Sequence, residues 1–219
     1  RRMLIEAGSR LLMIGASLTD CGRGRPVGEA HELGNGYVSH INALLGALYP
    51  AHGIRVLNVG VSGNTVRDLK ARWRQDVLEL EPHWLSILIG VNDVWRQFDA
   101  PLRTELHVPI DEYERELDAL IRSVKPNLQG LVLMTPFFIE PNRQDAMREA
   151  MDAYGNVVRK LAEKHSAVFV DTQAVMDGLL EHMHPMTLCW DRIHPSQTGH
   201  MALALAFMRA VGAVAPSLP

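Results

Sequence analysis

Leu11-Leu12-Met13-Ile14-Gly15, followed at once by Ala16 and Ser17, is an apolar run without polar alternation that stops on a glycine. A strand with one wet face alternates apolar and polar residues, so a short continuous run of this kind reads as a strand covered on both faces. Arg55-Val56-Leu57-Asn58-Val59, Leu85-Ser86-Ile87-Leu88-Ile89, Leu131-Val132-Leu133-Met134-Thr135 and Ala167-Val168-Phe169-Val170-Asp171 repeat the pattern. Between and after them lie segments of helical period: Gly36 to Leu48, Val66 to Leu80, Ile110 to Lys125, Gln144 to His165, Ala174 to His182 and Ser196 to Val211. Gly53, Pro82, Pro126 and Gly130 mark the joins. Parallel strands need crossover connections, and alternating strand and helix predicts a three-layer α/β/α sandwich around a five-stranded parallel sheet. No repeat or linker divides it, so residues 1–219 are expected to form a single domain.

Composition limits the partners. The chain has 219 residues, 47% hydrophobic and 21% charged, which is enough to bury a large core. Lys and Arg number 22 against 25 Asp and Glu, a net charge of −3, so nucleic acid and anionic membranes are not expected and the partner should be small or neutral. Cys21 and Cys189 are too few to form a disulfide framework. The run from Leu11 to Gly15 is shorter than the apolar core of a secretory signal, and Met201 to Val214 is interrupted by Arg209 and too short for a bilayer. A cytoplasmic location is the expectation.

In open α/β sheets, ligands bind beyond the carboxyl ends of the strands. Three blocks occupy those positions: Gly15-Ala16-Ser17-Leu18-Thr19-Asp20, Gly60-Val61-Ser62-Gly63-Asn64-Thr65 and Gly90-Val91-Asn92-Asp93. A fourth, Asp191-Arg192-Ile193-His194, precedes the last helical segment. At that spacing an aspartate can hold one ring nitrogen of the histidine and leave the other free as a base. A serine hydroxyl becomes nucleophilic when such a base takes its proton, and an amide N–H₂ such as that of Asn92 can donate to an oxyanion without competing for the proton. Taken singly each residue has a structural reading: Ser17 as a turn or cap residue, Gly60 and Gly63 as turn glycines, Asp191 as a helix cap, His194 as a structural histidine.

The four blocks in this order resemble the signature of the SGNH (GDSL-type) hydrolases, and within them the intracellular acetylxylan esterase-like members. The resemblance implies a flavodoxin-like fold, Ser17 as nucleophile, His194 as base, Asp191 as its partner, and the Ser17 and Gly63 N–H groups with Asn92 as oxyanion donors. It also implies a cofactor-free serine esterase acting on small acyl esters, acetyl groups on xylo-oligosaccharides or related sugars above all, and a homo-oligomer. One residue departs from the pattern: Ala16 stands where the family carries aspartate. That carboxylate helps hold the nucleophile loop, so weakened rather than abolished activity is expected. A lysophospholipase or lipase of the same superfamily and a carbohydrate-binding relative with reduced catalysis are the alternatives.

Other groups carry weaker signals. His182, His184, His194, His200 and Cys189 share a window but lack the paired spacing of a zinc finger or metalloprotease, so no metal is expected. Gly22 and Gly24 come without the rest of a phosphate-binding motif. Arg72-Trp73-Arg74 reads as a solvated or subunit-facing surface. Trp95 and Trp190 each adjoin a proposed site residue and are expected to line the substrate pocket.

Overall fold

The computed structural model describes residues 2–216. All five expected strands form: β1 (Arg10–Gly15), β3 (Arg55–Asn58), β4 (Trp84–Leu88), β5 (Gly130–Met134) and β6 (Val168–Val170). They pair in parallel in the order β3-β1-β4-β5-β6. A further strand, β2 (Gly28–Glu29), pairs antiparallel with β3 at the edge, so the sheet has six strands rather than five. Two residues carry no readable periodicity, which is why this strand has no sequence signal. The edge it covers would otherwise expose the unpaired side of β3.

The expected helices form as α2 (Tyr37–Leu48), α3 (Val66–Asp76, with a 3-10 turn at Leu78–Leu80), α5 (Ile110–Val124), α6 (Ala146–His165), α7 (Thr172–Leu180) and α9 (Gln197–Ala210). Three short ones were not anticipated: α1 (Ser17–Asp20), α4 (Val91–Asp99) and α8 (Pro185–Leu188). Helix α2 packs on α9 and α9 on α7, while α3, α5, α6 and α4 form a second group in which α3 meets α5, and α6 meets α5 and α4. Right-handed crossovers account for this division, because the chain moves from β1 outward to β3 and then returns past β1 to β4, which reverses the face taken by the connecting helix.

That reversal lies between β1 and β4, whose residues pair from Leu11 with Trp84 to Gly15 with Leu88. Helices diverge there to opposite faces, leaving a crevice at the strand ends. The strands beneath are sealed: Leu11 to Ile14 and Leu85 are fully buried, so the crevice rests on a rigid floor.

Candidate active site

The first block is built by a close turn. A Cβ on Gly15 would lie 2.5 Å from the carbonyl oxygen of Leu88, so only glycine lets β1 end this near β4. Ala16 caps α1 and Ser17 is its first residue; the N–H groups of Thr19 and Asp20 bond to the Ala16 carbonyl. Ser17 is half-buried, and its own N–H has no backbone partner among the described residues. Behind the turn the Thr19 hydroxyl meets that of Tyr37 at 2.8 Å, and the carboxylate of Asp20 accepts from the N–H and hydroxyl of Ser62 at 3.0 and 3.2 Å. Arg25 pairs with the same carboxylate at 2.6 Å. Burial works to raise the Asp20 pKa, but Arg25 and Ser62 outweigh it and hold the carboxyl below its ordinary value. The first rim block is thereby tied to the second.

In the second block Gly63 has φ of +85°, a left-handed conformation that suits glycine, and its exposed N–H has no backbone partner among the described residues. The third block is not a loop. Val91, Asn92 and Asp93 form the first turn of α4, with Gly90 as the cap. Asn92 is buried and donates from Nδ2 to the Asn64 carbonyl at 3.1 Å. Asp93, fully buried, accepts the Val66 N–H on Oδ2 at 3.0 Å, while its Oδ1 has no hydrogen-bond partner among the described residues. Burial pushes the Asp93 carboxyl up to about 7, against the opposing pull of the Val66 N–H.

The fourth block is a tight turn closed by its own aspartate. Oδ1 of Asp191 accepts the N–H groups of Ile193 and His194 at 2.9 and 2.8 Å, and Oδ2 meets Nδ1 of His194 at 2.5 Å. Between them Arg192 takes φ of +66°, uncommon for a residue with a side chain. It is held there by an ion pair to Glu140 and by the Ile139 N–H, which donates to its carbonyl at 2.9 Å; Ile193 is buried beside it. The Cys189 thiol adds a fourth bond to Asp191, at 3.0 Å. Burial by itself would raise Asp191, but the His194 ring and backbone, Cys189 and the Ile193 N–H together hold its carboxyl at about 2. Burial and the neighbouring Asp191 push the Cys189 thiol up to about 12, so it stays a donor.

Across the crevice, Nε2 of His194 lies 2.8 Å from Oγ of Ser17. With Nδ1 engaged by the Asp191 carboxylate, the tautomer that protonates Nδ1 leaves Nε2 as the acceptor facing the serine hydroxyl. A second histidine near the turn, His200, is buried and arranged differently: its Nδ1 accepts the Tyr37 N–H at 3.0 Å, and burial, with His40 and His194 nearby, lowers its pKa to about 4. It is a neutral wall of the turn that carries Ser17, with Nε2 3.9 Å from the Cys21 sulfur. Both cysteines are free thiols.

Of the two tryptophans, Trp95 is half-buried in α4 with its ring centroid 6.0 Å from that of His194, and the Arg96 guanidinium covers it at 4.6 Å. Trp190 is 88% exposed. The Arg72-Trp73-Arg74 reading needs correction. Trp73 is buried and donates to the Ser123 hydroxyl at 2.9 Å, and the side chain of Arg72 is only 17% exposed and turned toward the strand ends; Arg74 alone faces solvent. Cys189, Asp20 and Arg72 are the contributors that sequence reasoning missed. For Cys189 the available signal was its proximity to Asp191 in sequence, and for Asp20 its place at the end of the first block; Arg72 had none.

The profile of the GDSL-like Lipase/Acylhydrolase family matches residues 13–202, which takes in all four blocks. The chain belongs to this family. An acetylxylan esterase of Geobacillus stearothermophilus is 55% identical over 212 residues, covering 96% of this chain and 97% of the relative. The crystal structure of that enzyme, Axe2, superposes with a TM-score of 0.95, with the same identity and coverage. Three of its variant structures are catalytic mutants in which a serine, a histidine or an aspartate is replaced by alanine. LAE5, an alpha/beta hydrolase enzyme from the metagenome of Lake Arreo, is 49% identical over 97% of this chain and 99% of its own, with a TM-score of 0.94.

Proposed function

We propose that the protein is a serine esterase that removes acetyl groups from xylo-oligosaccharides or closely related sugars by a two-step acyl transfer. The observation that carries the reading is the continuous relay from Ser17 Oγ to His194 Nε2 at 2.8 Å and from His194 Nδ1 to Asp191 Oδ2 at 2.5 Å. His194 takes the hydroxyl proton as Ser17 attacks the ester carbonyl; the C–O bond to the sugar breaks and His194 returns the proton to the departing alcohol. Water, activated by the same imidazole, then cleaves the acyl-enzyme to acetate. Charge on the tetrahedral oxygen is met by the N–H groups of Ser17 and Gly63 and by the Asn92 amide, each such donor being worth about 3 kcal/mol in comparable hydrolases. Asp191 stays ionised throughout the neutral range and favours the imidazolium. No step requires a cofactor.

The acetyl and xylo-oligosaccharide part of the reading is supported by the acetylxylan esterase relative at 55% identity. Trp95, beside His194, and Trp190, exposed next to Asp191, are assigned to the sugar side of the site, where an aromatic face stacks on a pyranose ring. Self-association into a homo-oligomer is part of the reading, and light scattering tests it. No helix among the described residues is long and apolar enough to cross a membrane, and two free thiols fit a reducing cytoplasm.

The deciding experiment measures acetate release from acetylated xylo-oligosaccharides beside a chain-length series of 4-nitrophenyl esters, for the parent and Ser17→Ala. The reading expects the acetyl compounds to be turned over fastest and Ser17→Ala to be inactive. Preference for long chains would assign a lipase-type substrate instead. Saccharide binding without ester cleavage in the parent would assign a binding role.

A further inference from the structure

Arg72 sits in the second turn of α3, and three of its four contacts point away from a surface role. Nε donates to the Asn64 side-chain oxygen at 2.8 Å, Nη1 to the Val59 carbonyl at 2.5 Å and to Asp76 at 2.9 Å, and Nη2 to the Gly15 carbonyl at 3.2 Å. Val59 immediately follows β3 and Gly15 is the last residue of β1. One planar guanidinium therefore fastens the two strand ends from which the first and second rim blocks depart.

Two of these acceptors lie one or two residues from a proposed oxyanion donor, and the third donor, Asn92, is bonded to one of them. Gly15 precedes Ser17 by two positions and also accepts the Val61 N–H at 3.0 Å, which brings the first two blocks onto one carbonyl. Asn64 follows Gly63 directly, and its carbonyl receives the Asn92 amide at 3.1 Å. The chain of bonds Gly15–Arg72–Asn64–Asn92 connects the backbone beside all three donors. A helical ion pair with Asp76 by itself would require none of this, and would leave the arginine on the helix surface.

We propose that Arg72 is a positioning residue for the esterase reaction, fixing the spacing of the Ser17, Gly63 and Asn92 donors by holding the ends of β1 and β3 and the Asn64 side chain together. The inference rests on the serine esterase reading. It deepens that reading by naming a residue that touches neither substrate nor reacting atoms. The fork geometry matters, because a lysine ammonium in the same place is a point charge that cannot serve three separated acceptors at once.

A loosened oxyanion hole affects the transition state and not the ground state, and displacement of catalytic groups by ~1 Å is enough to cost about 10²-fold in rate. The test compares Arg72→Met, Arg72→Lys and Asn64→Ala with the parent on 4-nitrophenyl acetate, and measures inhibition by phenylboronic acid, whose tetrahedral adduct on a serine places an oxygen in the hole. Arg72→Met is expected to lower kcat about 10²-fold with KM within about threefold, and to weaken the boronate by the same factor as kcat/KM. Arg72→Lys should fall between.

Should Arg72→Met fail to fold, Asn64→Ala cuts only the loop arm of the relay. Its loss in kcat should then be less than additive with that of Arg72→Lys. A folded Arg72→Met with parental kcat, a lost rate with unchanged boronate affinity, or strict additivity of Asn64→Ala and Arg72→Lys would each overturn the inference. Ser17→Ala assayed in parallel separates the two claims: retained turnover there removes the serine esterase reading, whereas its loss beside an unaffected Arg72→Met removes only the role of Arg72.

Discussion

Asn92 gives one amide hydrogen to the carbonyl of Asn64 at 3.1 Å, and in doing so fixes the plane of the amide that carries the second. The side chain is buried in the first turn of α4, so its orientation is not left to rotamer averaging in solvent. Asn92→Ala removes both the proposed oxyanion donor and the link to the second block. The expected loss in kcat is on the order of 10²–10³-fold, with KM little changed, since the interaction matters only as charge develops. Steady-state kinetics on 4-nitrophenyl acetate measures it, and a rise in KM at constant kcat would place Asn92 in ground-state binding instead.

Asp191 accepts four hydrogen bonds, which makes it both the orienting group for His194 and a source of stability. Asp191→Asn presents an N–H where the ring needs an acceptor, and the wrong histidine tautomer should reduce kcat by about 10⁴-fold. The same substitution has a pH signature. The folded-state pKa is held at about 2, below the unfolded value, so the carboxylate contributes stability that is present above the unfolded pKa and is lost as pH falls through about 2. The Tm difference between parent and Asp191→Asn should therefore be largest near neutrality and shrink below about pH 4, where the unfolded carboxyl begins to protonate. A difference independent of pH would contradict the hydrogen-bond account.

Asp93 predicts the opposite slope. Burial raises its carboxyl to about 7 in the folded protein, so ionisation opposes folding, and the cost grows as pH rises from the unfolded pKa toward 7. Asparagine keeps an oxygen for the Val66 N–H and carries no charge. Relative to the parent, Asp93→Asn should gain Tm as pH rises from about 4 to 7 and hold that gain above it. Thermal unfolding across that range checks the sign, and a gain that shrinks with pH would mean that the carboxylate is stabilised in the fold.

The sheet was legible because its strands are apolar on both faces, and Leu11 to Ile14 are fully buried, as that pattern requires. The crevice followed from topology, and the four blocks lie around it because each follows a strand end or precedes α9. What the sequence hid was local or long-range in a way that periodicity does not record. Helix α4 is short, and Asn92 and Asp93, directly after its first residue Val91, are polar residues buried in its first turn, so its start reads as a loop. Arg72 beside Trp73 and Arg74 looks like a surface cluster, because nothing in three consecutive residues announces that one of them will reach carbonyls at Gly15 and Val59. Likewise the Cys189 thiol becomes a donor to Asp191 only once the turn has formed.

Ala16 occupies the N-cap position of α1, the helical turn whose first residue is Ser17, and it makes no side-chain cap bond. Aspartate is among the favoured N-cap residues, because its carboxylate accepts a free N–H of the first turn and sits at the positive end of the peptide dipoles. Burial opposes this: Ala16 is 8% exposed, and a carboxylate there loses solvent. The turn is already held by Asp20 to Ser62 and by Thr19 to Tyr37, so the nucleophile can be placed without the cap. The gain from Ala16→Asp should be correspondingly modest. A cap is worth about 1 kcal/mol, and if most of it acts on the geometry of Ser17 then kcat rises about fivefold with KM unchanged. A change confined to KM would put position 16 in contact with substrate, and an unchanged kcat would show that the existing bonds already hold Ser17 in its reactive position.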